Sequence, residues 1–251
     1  MFWFKRKEIV IDCFVTNPVI EKFQPIAPAY NFFPEGWKTL PKTVNIKVHE
    51  NNDPNSKIEA PLSTIKKCIG IQHLFSNGFI IPAWAAFHIE IQKTGKLMYA
   101  SPAEFQVDQH PTYQFWDGLY DGYGHAKISS PWIIHEKSGV SFTWNQCDWH
   151  NTKNADICKI VSGVLDFKYQ HQSNINMFVK KDSVYSANAG DPLVHLIPIS
   201  EKNVKIKTHL VDINEIRKLD HLPAQYSNQY NTIKRKTIEQ ETKKCPFGFG
   251  K

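Results

Sequence analysis

The chain has 251 residues, of which 41% are hydrophobic and 13% aromatic, so it can bury a sizeable core and is not disordered as a whole. Its 30 lysine and arginine residues against 24 acidic residues give a net charge of +6, too mild and too mixed to indicate nucleic-acid binding. The N-terminus carries its apolar residues before its charges, the reverse of a signal peptide, and no apolar run could span a bilayer. Five scattered cysteines argue against a disulfide framework and favour a reducing compartment.

The first 75 residues mix one strand, one helix and irregular segments. Ile9–Val15 is a predicted strand, and the proline- and aromatic-rich stretch after it is expected to wrap the core as irregular coil. Asn51–Ser56 is a predicted exposed loop. Ser63–Phe75 is the best predicted helix, with Ser63 as its cap and Asn77-Gly78 as its stop.

From Phe79 onward the hydrophobic pattern changes to the period of two that is typical of half-buried strands. Strands are predicted at Phe87–Ile91, Ala126–Ser129, Trp132–His135, Val140–Trp144, Ile157–Val161, Asn174–Val179, Leu193–Ile199 and Val204–Val211. Asp212 then opens a short helix, with Glu215 as its capping-box partner. We therefore expect a single β-rich domain over residues 1–211, with a core at about 79–211, and a helical, basic extension over 212–251.

Three segments carry a family resemblance: Ile133–Val140 (IIHEKSGV), Gly163–Tyr169 (GVLDFKY) and Ala189–Ile197 (AGDPLVHLI). In order and approximate spacing they resemble motifs of the dUTPase and dCTP-deaminase superfamily, the β-clip proteins, with GVLDFKY similar to that family's hairpin. The resemblance covers roughly residues 130–199. It implies a dUTPase-like antiparallel β-barrel and homotrimers. The whole sequence also resembles a group of proteins from marine tailed phages, which implies a location in the host cytoplasm or in a virion.

The same resemblance implies roles for the hairpin residues. Asp166 would be the general base that orients the attacking water, Tyr169 would lie over the deoxyribose, and Gly163 would allow close backbone approach to a pyrimidine. The phosphate-binding Arg-Ser pair of the family has no arginine here, which leaves Asn145 and Gln146 as candidate ligand contacts.

Basic residues of the extension could replace the missing arginine, from the same subunit or from a neighbouring one. The candidates are Lys234, Arg235 and Lys236. Because the phosphate arginine is missing, our main hypothesis is a ligand-binding or interaction protein with degraded catalytic motifs, whose partner is a pyrimidine nucleotide, a virion protein or a host protein. One alternative is a pyrimidine deoxynucleoside triphosphate pyrophosphatase that requires Mg²⁺. Another is a cupin-like, metal-dependent oxygenase.

Two residue groups invite a metal hypothesis. Cys147, His150 and Cys158 have spacings that suit zinc if His135 or His171 supplies a fourth ligand, although buried cysteines and a surface histidine are the simpler interpretation. His88 and Glu90, with His171 or His195, imitate an iron facial triad, although a solvated strand face is the simpler interpretation.

Aromatic residues outside these groups are expected to pack rather than bind. Trp149 is expected in the core. The residues of the aromatic loop around position 120 could stack on a flat ligand or cover one end of the barrel; they are Trp116, Tyr120 and Tyr123.

Overall fold

The computed structural model describes residues 8–49, 57–103, 106–111, 114–116, 118–150, 152–219, 231–232 and 234–239. Strands make up most of the regular structure in these ranges, so the prediction of a mainly β chain is confirmed. No helix in the same ranges is long and apolar enough to cross a membrane. The predicted loop at Asn51–Ser56 and much of the predicted 212–251 extension lie outside the described residues, and the domain boundary at residue 211 stays a prediction.

The described elements are mostly short strands connected by turns and a few brief helices. The strands are β1 (Ile9–Val15), β2 (Ala27–Pro28), β3 (Thr43–His49), β4 (Lys57–Ser63), β5 (Phe79–Pro82), β6 (Phe87–Ile91), β7 (Leu97–Ala100), β8 (Val107–Asp108), β9 (Tyr123–Glu136), β10 (Phe142–Gln146), β11 (Cys158–Ile160), β12 (Gly163–Leu165), β13 (Gln172–Lys180), β14 (Ser183–Ala187), β15 (Pro192–Pro198) and β16 (Val204–Leu210). The helices are α1 (Pro18–Phe23), α2 (Glu35–Thr39), α3 (Ile69–Ser76) and α4 (Ile213–Leu219), and 3-10 turns occupy Ala29–Phe32, Ile65–Lys67 and Thr152–Asn154.

The strands form open sheets and not a closed barrel. In the described residues, a six-stranded sheet has the order β11-β13-β9-β1-β16 with β8 on β9, and a five-stranded sheet has the order β12-β10-β15-β5-β2. Two smaller sheets are β14-β6-β7 and the β3-β4 hairpin. Pairing is antiparallel except between β1 and β16, which run parallel. The expected barrel closure is therefore not seen, although the mainly antiparallel β architecture is.

One hydrophobic core joins the two large sheets and the β14-β6-β7 sheet. Every second residue of β1 points into this core, as the alternation in its sequence predicts: Ile9, Ile11, Cys13 and Val15 are buried. From the five-stranded sheet, Phe79 and Phe142 enter the same core with ring centroids 5.6 Å apart. Burial of so many large side chains from both sheets fixes how the sheets face each other.

The segment GVLDFKY is not a hairpin. Its strand β12 pairs with β10 in the five-stranded sheet, whereas the next strand, β13, pairs with β9 and β11 in the six-stranded sheet. The turn between them carries Phe167, which is fully buried and packs on Phe142 at 5.7 Å. The chain crosses from one sheet to the other here, and the burial of Phe167 in the core stabilises the crossing.

The predicted helix over Ser63–Phe75 is wrong in its first half. Ser63 ends strand β4, and Thr64 caps a 3-10 turn by accepting a hydrogen bond from the Lys66 N–H. The Thr64 hydroxyl also donates to the Pro41 carbonyl at 2.6 Å, which ties this segment to the N-terminal region. The helix begins only at Ile69, while its predicted stop at Asn77-Gly78 is confirmed by the Asn77 cap and the positive φ of Gly78.

The N-terminal aromatic stretch is more regular than expected. Asn17 caps α1 by accepting hydrogen bonds from the Val19 and Ile20 N–H groups, and Pro18 occupies the first helical position. A second helix, α2, and strand β3 follow within the stretch expected to be coil. At the other end, the capping role of Asp212 is confirmed, because its carboxylate accepts from the Asn214 and Glu215 N–H groups.

We predict that Gly78→Ala is strongly destabilising. Gly78 has a φ of +75°, and a Cβ there would lie 1.9 Å from the Leu196 carbonyl oxygen, which belongs to the rigid β15 backbone. We expect a loss of about 3 kcal/mol or more in the free energy of unfolding, measured with urea. The matched control is Gly95→Ala, where φ is +86° but no atom lies within 4 Å of the added Cβ. This control should lose only about 1 kcal/mol, and equal losses in the two variants would contradict the clash.

Candidate functional site

The predicted catalytic aspartate, Asp166, stabilises a tight turn. Its backbone carbonyl accepts hydrogen bonds from the N–H groups of Tyr169 and Gln170, and its Oδ1 accepts from the Lys168 N–H at 3.3 Å. We call residues 166–170 the Asp166 turn. Phe167, buried in the core, anchors the turn from below. The side chain of Asp166 is only 13% exposed, so it is held in one place and contributes a fixed negative charge.

Two lysines lie beside Tyr169 of the Asp166 turn: Lys168, which is part of the turn, and Lys234. Lys234 Nζ lies 4.0 Å from Asp166 Oδ2 and 5.4 Å from the centre of the Tyr169 ring. Lys168 Nζ lies 5.6 Å from the centre of the same ring. Both ammonium groups are within the range of a cation–π interaction with Tyr169. Thus Asp166 and Tyr169 of GVLDFKY lie together with Lys234 of the predicted extension. Lys168 lies with them, although the sequence did not indicate a role for it.

The other two predicted basic residues do not join this group. Residues 234–239 are helical, and within them Lys234 is half-buried while Arg235 and Lys236 are exposed. Arg235 Nε lies 3.8 Å from the Glu239 carboxylate, an ion pair between successive turns of one helix. Only one of the three basic candidates therefore faces the Asp166 turn.

The remaining predicted ligand contacts lie elsewhere or have structural roles. Gly163 pairs with Trp144 at the edge of the five-stranded sheet, and no atom of the described structure lies within 4 Å of where its Cβ would be. Asn145 donates to the Thr143 hydroxyl at 2.9 Å. Gln146 joins two strands, donating to the Cys158 carbonyl at 3.1 Å and accepting from the Ile160 N–H at 2.7 Å. Asn145 and Gln146 lie beyond the Gly163 end of β12, away from Asp166.

A second acidic side chain, Glu136, fixes the neighbouring turn. Its carboxylate is 2% exposed and accepts hydrogen bonds from the Ser138 hydroxyl and from the N–H groups of Ser138, Gly139 and Val140. We call residues 136–140 the Glu136 turn. It contacts the Asp166 turn, because the Glu136 N–H donates to the Phe167 carbonyl at 3.3 Å. Nothing in the sequence distinguished this glutamate from a solvated residue at a strand end.

The described residues do not assemble either of the metal sites considered from the sequence. No group of three histidine, cysteine, aspartate or glutamate side chains lies together there in a way that could hold an ion. The Cys158 thiol contacts the Met177 sulfur at 3.9 Å, whereas Cys147 packs in a separate cluster with Ala29 and Ile80. His88 contacts the Ser186 hydroxyl at 2.7 Å on the surface of β6.

The aromatic loop mostly covers the end of the six-stranded sheet. The Tyr120 ring packs on Phe178 at 4.6 Å, and the Tyr123 hydroxyl donates to the Asp156 carbonyl at 3.0 Å. Next to them His125 is buried, and desolvation lowers its pKa to about 4, so its ring is neutral at pH 7. Trp116 alone of the three expected residues is largely open, at 73% exposed.

A cleft that the sequence did not indicate lies at the end of the five-stranded sheet opposite the Asp166 turn. It encloses about 750 Å³ between residues 32–40, helix α3, residues 149–150 and the start of β15. Trp149, expected in the core, is 45% exposed at this cleft. We call this space the aromatic cleft.

Comparisons with known proteins add little to this geometry. No protein-family model matches the chain, and no curated protein matches it either. Among solved structures, a mutant dUTPase from phage phi11 of S. aureus is similar, at 14% identity and a TM-score of 0.30, over 55% of this chain and 86% of that one. That dUTPase coordinates a structural Mg(II) ion, which is a property of that protein alone. A similarity at this score carries no weight for a site or an activity.

We predict that replacing Glu136 by alanine destabilises the protein by about 2–4 kcal/mol. The substitution leaves three backbone N–H groups of the Glu136 turn without their acceptor in a half-buried site. Urea denaturation measures the loss, and Glu59→Ala on the exposed side of β4 is the control, with an expected change within about 0.5 kcal/mol. A loss at Glu136 no larger than the control's would contradict the capping role.

We also predict that three of the cysteines do not react in the native protein. Burial raises the pKa of the Cys158 thiol to about 12 and raises the pKa of Cys13 and Cys147 further, so none forms the reactive thiolate at pH 8. Cys68 is exposed and should be alkylated by iodoacetamide. Peptide mass spectrometry before and after denaturation identifies each site. Alkylation of Cys147 or Cys158 in the native protein at the rate of Cys68 would contradict this assignment.

Proposed function

We propose that the protein is a ligand-binding protein that binds a phosphate-bearing nucleotide at the Asp166 turn without hydrolysing it. The observation that carries the proposal is the position of Lys234, whose ammonium group lies 4.0 Å from Asp166 and 5.4 Å from the Tyr169 ring centre. A lysine distant in sequence is thus brought to the two residues that the family resemblance marks for a nucleotide.

The charges at the turn suit an anion. Lys168 and Lys234 place two ammonium groups beside one ring, and Lys234 is also close to the Asp166 carboxylate. Ammonium groups bind phosphate as point charges without the fixed geometry of an arginine, which is enough for affinity but positions a reacting phosphate poorly. A pyrimidine deoxynucleotide is the ligand class that the sequence resemblance implies.

The hydrogen bonds of Asp166 favour binding over catalysis. A general base needs a carboxylate oxygen aimed at a water. Here Oδ1 accepts from the Lys168 N–H, and Oδ2 faces Lys234. The carboxylate therefore has a structural role that accounts for its presence without a reaction. Trimerisation, and partnership with a virion or host protein, stay predictions.

We predict that dUTP or dCTP binds and that no pyrophosphate is released in the presence of Mg²⁺. Titration calorimetry measures binding, and a pyrophosphate assay on the same samples measures turnover. Lys234→Ala should weaken binding about tenfold, because it removes a charge-assisted contact to phosphate. The matched control is Lys236→Ala, an exposed lysine of the same helical segment, which should leave the affinity unchanged.

The variant Asp166→Asn distinguishes nucleotide binding from nucleotide hydrolysis. In a binding protein it keeps or strengthens affinity, since the asparagine can still accept the Lys168 hydrogen bond and a negative charge is removed. In a hydrolase it would abolish turnover with a loss of about 10²–10⁴ in rate. Pyrophosphate release that Asp166→Asn abolishes would replace this proposal by the pyrophosphatase alternative. No binding of either nucleotide would overturn both.

A further inference from the structure

The aromatic cleft has the ring arrangement of a cage. Phe75, 3% exposed, forms its base. The rings of Phe33, Trp37 and Trp149 stand around it at centroid distances of 6.0, 4.8 and 5.9 Å. Their planes are inclined to the Phe75 ring by 78°, 69° and 83°, so each of the three rings packs edge-to-face with Phe75, and all three line the cleft. Such an arrangement can present the electron-rich faces of several rings to one space.

The charges lining the cleft are acidic. Among the lining residues that the structure describes, the charged ones are Glu35 and Asp191, and none is lysine or arginine. Glu35 is paired with Lys38, one helical turn further on and outside the lining, at 2.5 Å. Asp191 accepts a hydrogen bond from the Asn188 N–H at 2.8 Å, which fixes its carboxylate at the cleft. Among the residues that the structure describes, no lysine or arginine forms an ion pair with Asp191, which is therefore the main acidic charge of the cleft.

His150, which also lines the cleft, does not offset this charge. Burial lowers the pKa of His150 below its ordinary value, so the ring is neutral at pH 7. Its Nε2 contacts the Phe32 carbonyl, which can only accept, and so Nε2 carries the proton. Nδ1 then points its lone pair into a buried space where it has no hydrogen-bond partner among the described residues. The neutral ring thus adds no positive charge to the cleft.

Aromatic faces together with a fixed carboxylate select for positive charge on an apolar surface. A phosphate or a carboxylic acid would meet both the ring faces and Asp191 with the wrong sign. A compact, strongly hydrated ammonium would lose its water shell on entering a space lined by so many rings. An ammonium covered by methyl groups has the charge without the tightly held water, and recognition by several aromatic rings is known for such cations in general.

We propose that the aromatic cleft binds an organic cation of the quaternary-ammonium type, held by cation–π contacts with Trp37 and Trp149 and by the charge of Asp191. This site is separate from the Asp166 turn, and it does not depend on nucleotide binding there.

The test compares two probes of one shape. Choline chloride carries the quaternary nitrogen, and 3,3-dimethylbutan-1-ol carries a neutral carbon in its place. In titration calorimetry at fixed ionic strength, we expect choline to bind at least about tenfold more tightly than the neutral alcohol. Equal affinities, or no saturable binding of choline at millimolar concentrations, would overturn the proposal.

Substitutions in the cleft provide the second arm of the experiment. Trp149→Ala should weaken choline binding about tenfold, and Trp149→Phe should restore part of that loss because a ring face is kept. Asp191→Asn keeps the acceptor for Asn188 and should weaken binding of choline but not of the neutral alcohol. Trp116→Ala, outside the lining of the cleft, is the control and should change nothing. If Asp191→Asn weakened both probes equally, the carboxylate would only maintain the shape of the cleft, and the proposal would fail.

Discussion

The buried carboxylate of Glu136 holds the turn on which the connection between the two large sheets depends. A charge that is 2% exposed is costly unless its oxygens are hydrogen-bonded, and Glu136 meets that need with the backbone of its own turn. These hydrogen bonds stabilise the turn that joins β9 in the six-stranded sheet to β10 in the five-stranded sheet. The Glu136 N–H also binds the Phe167 carbonyl, so the same residue positions the Asp166 turn.

The Asp166 turn is also capped by an acidic residue, and it leads the chain back from the five-stranded sheet to the six-stranded sheet. It takes the chain from β12 in the five-stranded sheet back to β13 in the six-stranded sheet, with an aspartate as its cap and Phe167 as its anchor. A Cβ at Gly139, in the Glu136 turn, would lie 3.6 Å from the Lys168 side chain, so the two turns are in close contact. Residues that resemble a catalytic motif thus have a structural role, because they form and anchor the connection between the two sheets.

The sequence predicts most of the strands and misses how they are shared between sheets. The period of two in β6 shows which residues are buried, and strands β13 and β15 are close to their predicted bounds. In GVLDFKY, however, a turn between sheets and a hairpin place the same residue types at the same spacing, and only tertiary packing of Phe167 separates them. Ser63 failed as a helix cap for a similar reason, since pairing of β4 with β3 outweighed local propensity. The positions of single side chains are harder to predict than the strands. Nothing local distinguishes Lys234 from Lys236. Trp149 lines a cleft together with residues 32–40, which are more than a hundred positions away in the sequence.

The two proposed sites lie at opposite ends of the five-stranded sheet, one beside Lys168 and Lys234 and the other beside Asp191. Pro192 lines the aromatic cleft, and six residues later Pro198 pairs with Phe142, whose other neighbour is Leu165, next to Asp166. At about 3.3 Å per residue this separates the sites by about 20 Å. That distance exceeds the Debye length of about 8 Å at physiological salt, so the lysines at one end hardly alter the field at the other. The two proposals are therefore independent, because a charge bound at one end of the sheet would hardly change the affinity at the other.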